Sequence, residues 1–157
     1  MPIKIGIAML FFVSQIGGAR ADSANSFIGD WRTVRHGAEV RIVDCGDGTP
    51  CGFLTSVSAD IRDGATHDAR NREPELRGRP LEGLPILWGY RQCQSDWRRG
   101  KLYNPETGQT FRSSLAVISP DRLKVKGCLG PLCREQIWTR IQRQNASIAR
   151  RVANDHS

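Results

Sequence analysis

The chain has 157 residues, with 23 basic against 16 acidic side chains and a formal net charge of +7. That length accommodates one domain with its own core and leaves little room for two. The basic excess is modest: it fits anionic envelope polymers or lipid head groups, or a merely solvated surface, and nucleic acid is excluded as a partner for an exported chain.

Residues 1–21 read as an export signal. Lys4 supplies the positive start, Ile5 to Ile16 is mostly apolar, and Ala19-Arg20-Ala21 gives a small-x-small cleavage pattern before Asp22. The apolar stretch is about a dozen residues, short of the ~20 a spanning helix needs, and Gly17 and Gly18 interrupt it. No cysteine stands at the cleavage site, so no lipid anchor is indicated. Cleavage leaves 136 residues at net charge +5 and no transmembrane segment. The expected organisation is a signal at 1–21, a β domain at 22–141 and a polar basic tail at 142–157.

From Asp22 onward short alternating segments are separated by turn residues, which predicts an all-β fold. The expected strands run over 29–34, 39–44, 52–57, 84–92, 101–104, 110–117, 123–127 and 136–141. Arg35 to Ala38 turns the first pair, and "NPETGQ" marks a later hairpin. Eight consecutive short strands joined by tight turns predict an antiparallel meander that closes into a small barrel with no exposed edge. One connection breaks the rhythm: residues 58–83 are rich in both signs of charge and poor in apolar side chains, as a binding lid or a solvated loop would be. A short helical stretch is expected in the tail, over 147–153.

Five cysteines in an exported chain predict disulfides. Cys45 and Cys51 bracket "GDGTP", and Cys128 and Cys133 bracket "LGPL"; both segments carry turn residues that bring sulfurs to bonding range. A tetrathiolate zinc site fits poorly, because its close spacings hold two to four residues and the first loop has five. Crossed pairings stay open on sequence alone. Cys93 is left over, either buried and inert or joining two molecules.

No nucleophile elbow, metal motif or phosphate-binding glycine loop is present, and the histidines at 36, 67 and 156 are scattered. No catalytic residue, metal or cofactor is assigned. Trp88, Tyr90, Trp97 and Tyr103 are either ordinary packing or the lining of a ligand site. If they line a site, it lies where they meet Asp68, Asn71, Arg77 and Arg79 of the long loop, whose guanidinium forks suit a carboxylate or phosphate.

The motifs "GDWRT", "VRIVDCG" with "CGFL", "HDARNREPELRGRPLEGLPIL", "WRRGKLYNPETGQTF" and "LKVKGCLGPLCREQIWTRI" together resemble the exported bacterial family called domain of unknown function 2147. The resemblance runs from about Phe27 to Ile141 and implies export and a single compact β domain. Where that family tends to read Asn-Pro in the charged loop, this chain has Asn71-Arg72. A more distant likeness is to lipocalin-type barrels: Gly29-x-Trp31 on the first strand and Arg140 on the last imply a tryptophan closing one barrel end under a basic side chain. The expected function is non-catalytic binding of a small anionic or amphipathic ligand, or an accessory role in the envelope. The alternatives are a cofactorless hydrolase or isomerase using the charged loop, and a purely structural envelope protein. The oligomeric state is not legible.

Overall fold

The computed structural model describes residues 27–35, 37–57 and 66–142. The expected export signal, the helical stretch expected in the tail, His36, His156 and residues 58–65 of the charged loop lie outside the described residues. Among the described residues nine antiparallel strands follow in order: β1 (Gly29–Arg32), β2 (Glu39–Asp44), β3 (Pro50–Ser56), β4 (Pro85–Trp88), β5 (Arg91–Cys93), β6 (Asp96–Asn104), β7 (Gln109–Ser119), β8 (Arg122–Leu129) and β9 (Leu132–Arg140). Among the described residues no helix is long and apolar enough to cross a membrane.

The sheet runs β4-β3-β2-β1-β9-β8-β7-β6-β5, and an additional β4–β6 pairing joins its ends. β4 and β5 both bond β6, at Leu87↔Leu102 and at Gln92↔Trp97, so they are one wall position interrupted at Gly89-Tyr90. The barrel therefore has eight walls, as the spacing of strands predicts. The fourth expected strand, 84–92, is the one that splits. Others start earlier than expected: β3 at Pro50 rather than 52, β6 at Asp96 rather than 101 and β9 at Leu132 rather than 136, with β7 and β8 each one residue early. In β6 the alternation is broken by a register shift between Trp97 and Gly100, which hides the strand from a period-2 reading.

Successive antiparallel strands place the β2–β3, β4–β6 and β7–β8 connections at one end, and the β1–β2, β3–β4, β6–β7 and β8–β9 connections at the other. The first end is plugged. Phe27, Trp31, Trp97, Leu123 and Trp138 are buried there, and Phe27 meets Trp97 edge-on with ring centroids 5.3 Å apart. Burying each large apolar side chain contributes about 1.5–3 kcal/mol, so this cluster is a major stabilising block.

Trp31 is fully buried, and its indole N–H donates to the Phe27 carbonyl at 2.8 Å. The Arg140 guanidinium lies 4.2 Å over the Trp31 ring and donates to the carbonyls of Ile28 and Pro120. Burial lowers the Arg140 pKa from its ordinary value, partly offset by Asp121. The Gly-x-Trp pattern now has a physical reason. Gly29 holds φ 144°, and a Cβ there would run into the Arg140 guanidinium.

Both local cysteine pairs are bonded, Cys45–Cys51 across the β2–β3 turn and Cys128–Cys133 across the β8–β9 turn. Cys93, for which burial was the first expectation, is exposed on β5, because that three-residue strand has no buried position.

Candidate functional site

The long loop is held by one buried network. Asp68 has no solvent exposure. Its Oδ1 accepts from the Tyr103 hydroxyl at 2.5 Å, and its Oδ2 accepts from Asn71 Nδ2 at 2.7 Å and from the Arg79 guanidinium at 3.0 Å. Asn71 Nδ2 also donates to the Tyr103 hydroxyl at 3.1 Å. Backbone bonds reinforce the frame: the Asp68 N–H donates to the Arg79 carbonyl at 2.8 Å, and Arg77 Nε donates to the Asn71 carbonyl, also at 2.8 Å. A buried carboxylate is tolerable only when hydrogen-bonded and paired, and here both conditions hold.

This arrangement holds the loop to the β6–β7 hairpin. Arg70 donates to the Glu106 carbonyl at 2.6 Å, and Gly108, at φ 66°, lies so close to the loop that a Cβ would run into the Arg70 carbonyl. The Asn71 Oδ1 accepts the Glu73 N–H at 2.9 Å, turning the chain into the short 3₁₀ turn Pro74–Leu76. That side-chain turn shapes the position where Arg72 replaces the expected proline. Tyr103 has its pKa raised well above the usual phenol range, by burial first and then by its bond to Asp68 and the Asp68 charge.

Five of the eight expected ligand residues thus come together: Asp68, Asn71, Arg77, Arg79 and Tyr103. The arginine donors are turned inward, Arg79 onto the loop's own carboxylate and Arg77 onto a loop carbonyl. Tyr90 and Trp97 are elsewhere. Tyr90 is 3% exposed and donates to Ser113 Oγ at 2.8 Å, while Trp97 stands six residues along β6 from Tyr103, in the plugged end. Trp88 is half-buried and pairs with Lys101.

Sequence reasoning missed a second surface at the same end. On β8 the buried Leu123 and Val125 face the core, and the pleat puts Gly127 and Leu129 on that same face. Their partners on β9 are Arg134 and Leu132. Gly127 presents no side chain; a Cβ there would meet Leu102 at 3.3 Å and Phe111 at 3.5 Å. Leu102 and Phe111 are only half-buried, and Leu129 and Leu132 are 46% and 78% exposed. An apolar inner surface therefore continues from the core to the rim, with Leu102 and Phe111 packed over Gly127 and exposed Arg134 among it. The signal was present in "GCLGPLCR": a glycine where the strand's inward alternation calls for a large residue.

Among curated proteins none matches this chain. Among solved structures it is similar to protein HP1028 from the human pathogen Helicobacter pylori, described as belonging to the lipocalin family. The two share 20% identity over 76% of this chain and 86% of that one, with a TM-score of 0.66, a likeness of fold. The family model described as "Uncharacterized protein conserved in bacteria (DUF2147)" matches residues 29–140, nearly the whole described barrel, and the chain belongs to that family.

Proposed function

We propose that this protein is an exported, non-catalytic binding protein of the bacterial envelope, which takes a small amphipathic anion at the barrel end opposite Trp31. The observation that carries this reading is the half-exposed inner surface of Leu102, Phe111, Leu129 and Leu132, which runs from the core to the rim with Arg134 at its edge. A closed eight-stranded barrel packed at one end and open to an apolar surface at the other suits one small ligand. The apolar part of the ligand lies against Leu129 and Leu132, and its charge meets Arg134. The Asp68 network fixes the long loop at the same end of the barrel, against Tyr103 on the opposite face of β6 from Leu102. Its carboxylate is fully occupied in doing so, which argues against loop-based acid–base chemistry. Two disulfides support an oxidising destination, and with it cleavage of residues 1–21 before Asp22.

The test is native mass spectrometry of protein purified from its own envelope fraction, beside the double variant Leu132→Ser with Arg134→Ala, at two exposed rim positions. A copurified small molecule on the parent, lost from a variant of unchanged fold, is the expected result. No adduct on either leaves the purely structural reading in its place.

A further inference from the structure

We propose that the outer wall of the barrel carries a second binding site, for a compact ligand bearing two or more phosphate groups. A cleft of about 560 Å³ lies across β6, β7 and β8, within the range of small-ligand sites. Its floor is the outward face of β7, where Ser114 and Ala116 alternate with the inward, buried Ser113 and Leu115. Small side chains there leave space that long side chains on both neighbouring strands enclose. Lys126 stands opposite Ser114 and Lys124 opposite Ala116 on β8. Arg98 and Arg99 border the other side, on β6, and Arg112 lies toward the Cys128–Cys133 bridge.

The β6 bulge explains the arginines. Regular alternation would turn one of two consecutive residues toward the core, where an unpaired guanidinium is costly. The register shift between Trp97 and Gly100 instead leaves both Arg98 and Arg99 exposed, and Arg99 holds φ 59° to do so. A non-glycine residue in that region costs of order 1 kcal/mol, and such strain gathers at functional sites.

The cleft's charge is unbalanced. Five cations line it against two carboxylates, Asp96 and Glu135. Asp96 lies 3.7 Å from Arg98, and Glu135 lies 3.6 Å from Lys126. Arg112 donates to the Gly130 carbonyl, which leaves its charge uncompensated. Arg99 and Lys124 have no ion-pair partner among the described residues. β6 and β8 are two strand spacings apart, roughly 10 Å, so their side chains can close from both sides on a group a few ångströms wide. A single anion would leave most of this charge unanswered. A diphosphate presents enough oxygens for the guanidinium forks, the ammonium groups and the Ser114 hydroxyl together.

The cleft and the apolar surface at Gly127 lie on opposite faces of β8, so the two proposals fail independently. Calorimetric titration of inorganic pyrophosphate into the disulfide-intact protein tests this one. The double variant Arg99→Gly with Lys124→Ala removes two cations, and glycine accepts the same φ without strain. We expect binding by the parent, weakening of about tenfold or more in the double variant, and no more than about a twofold change in Lys101→Ala, a cation outside the cleft. Vesicles carrying a diphosphate head group separate the sources: capture that pyrophosphate reverses assigns a lipid-borne ligand, and pyrophosphate binding without capture assigns a soluble one. No binding by the parent, equal binding by parent and double variant, or acetate competing as well as pyrophosphate would each overturn the proposal.

Discussion

Tyr103 and Asp68 show how one carboxylate organises a loop. The phenol O–H donates a hydrogen bond to a carboxylate with no solvent exposure, so ionising the phenol would set two negative charges against each other in a buried site. Tyr90, the other of the chain's two tyrosines, is buried against Ser113 and is also raised well above the phenol range, by burial first. Both shifts favour the neutral form in the folded state. Their stabilising contribution is therefore complete below the ordinary phenol value of 10.0 and is lost as pH rises beyond it. Phenolate absorbance should stay flat through pH 10 in the folded protein and appear only together with loss of the far-ultraviolet β signal. A normal tyrosine titration preceding unfolding would contradict this placement. The sequence offered Asp68, Asn71, Arg79 and Tyr103 as one group, because charged and aromatic residues at a long loop invite that reading. It did not show that they bond one another, since that depends on the loop lying against β6.

The two disulfide hairpins are the elements most directly legible. Each cysteine pair brackets turn residues, and Cys128 and Cys133 are direct cross-strand partners in the β8–β9 ladder. A bridge across so short a loop removes little chain entropy, about 2 kcal/mol by loop closure. The Cys128→Ser, Cys133→Ser double variant should therefore fold and lose about that much stability to urea, with the barrel's circular dichroism unchanged. Thiol titration in denaturant should find one reactive group before reduction and five after. A protein that needs the bridge to fold would refute the hairpin as an independently paired element. β6 was the least legible strand. Its bulge sets Arg98 and Arg99 outward in succession, a pattern that no simple alternation yields.

Closure of the whole barrel depends on its narrowest junction. β1 and β9 share only the pairs Trp31↔Arg140 and Arg32↔Thr139. The rest of the seam is held by the guanidinium over the indole, its bond to the Ile28 carbonyl, and one further backbone bond from the Ile141 N–H to the Asp30 carbonyl at 2.8 Å. Gly29→Ala inserts a methyl group into the space Arg140 occupies and forces a positive φ on alanine. The expected cost is about 2–3 kcal/mol in urea unfolding, larger than Gly→Ala at an open turn such as Gly78, where nothing lies nearby. Equal effects at the two positions would show that Arg140 moves aside freely and does not lock the seam.

By itself, the sequence determined what is local: the strand periodicity, the turns, the cysteine pairs and the eight-wall count, because each depends on residues within about ten positions of one another. Only the tertiary structure decided what depends on distant strands meeting. It turned the loop arginines onto Asp68 and Asn71, left Cys93 exposed, packed Leu102 and Phe111 over Gly127, and ranged cations from β6 and β8 around small residues of β7. Sequence spacing gives the face on which a side chain stands; the neighbour across that face is supplied by register and barrel closure.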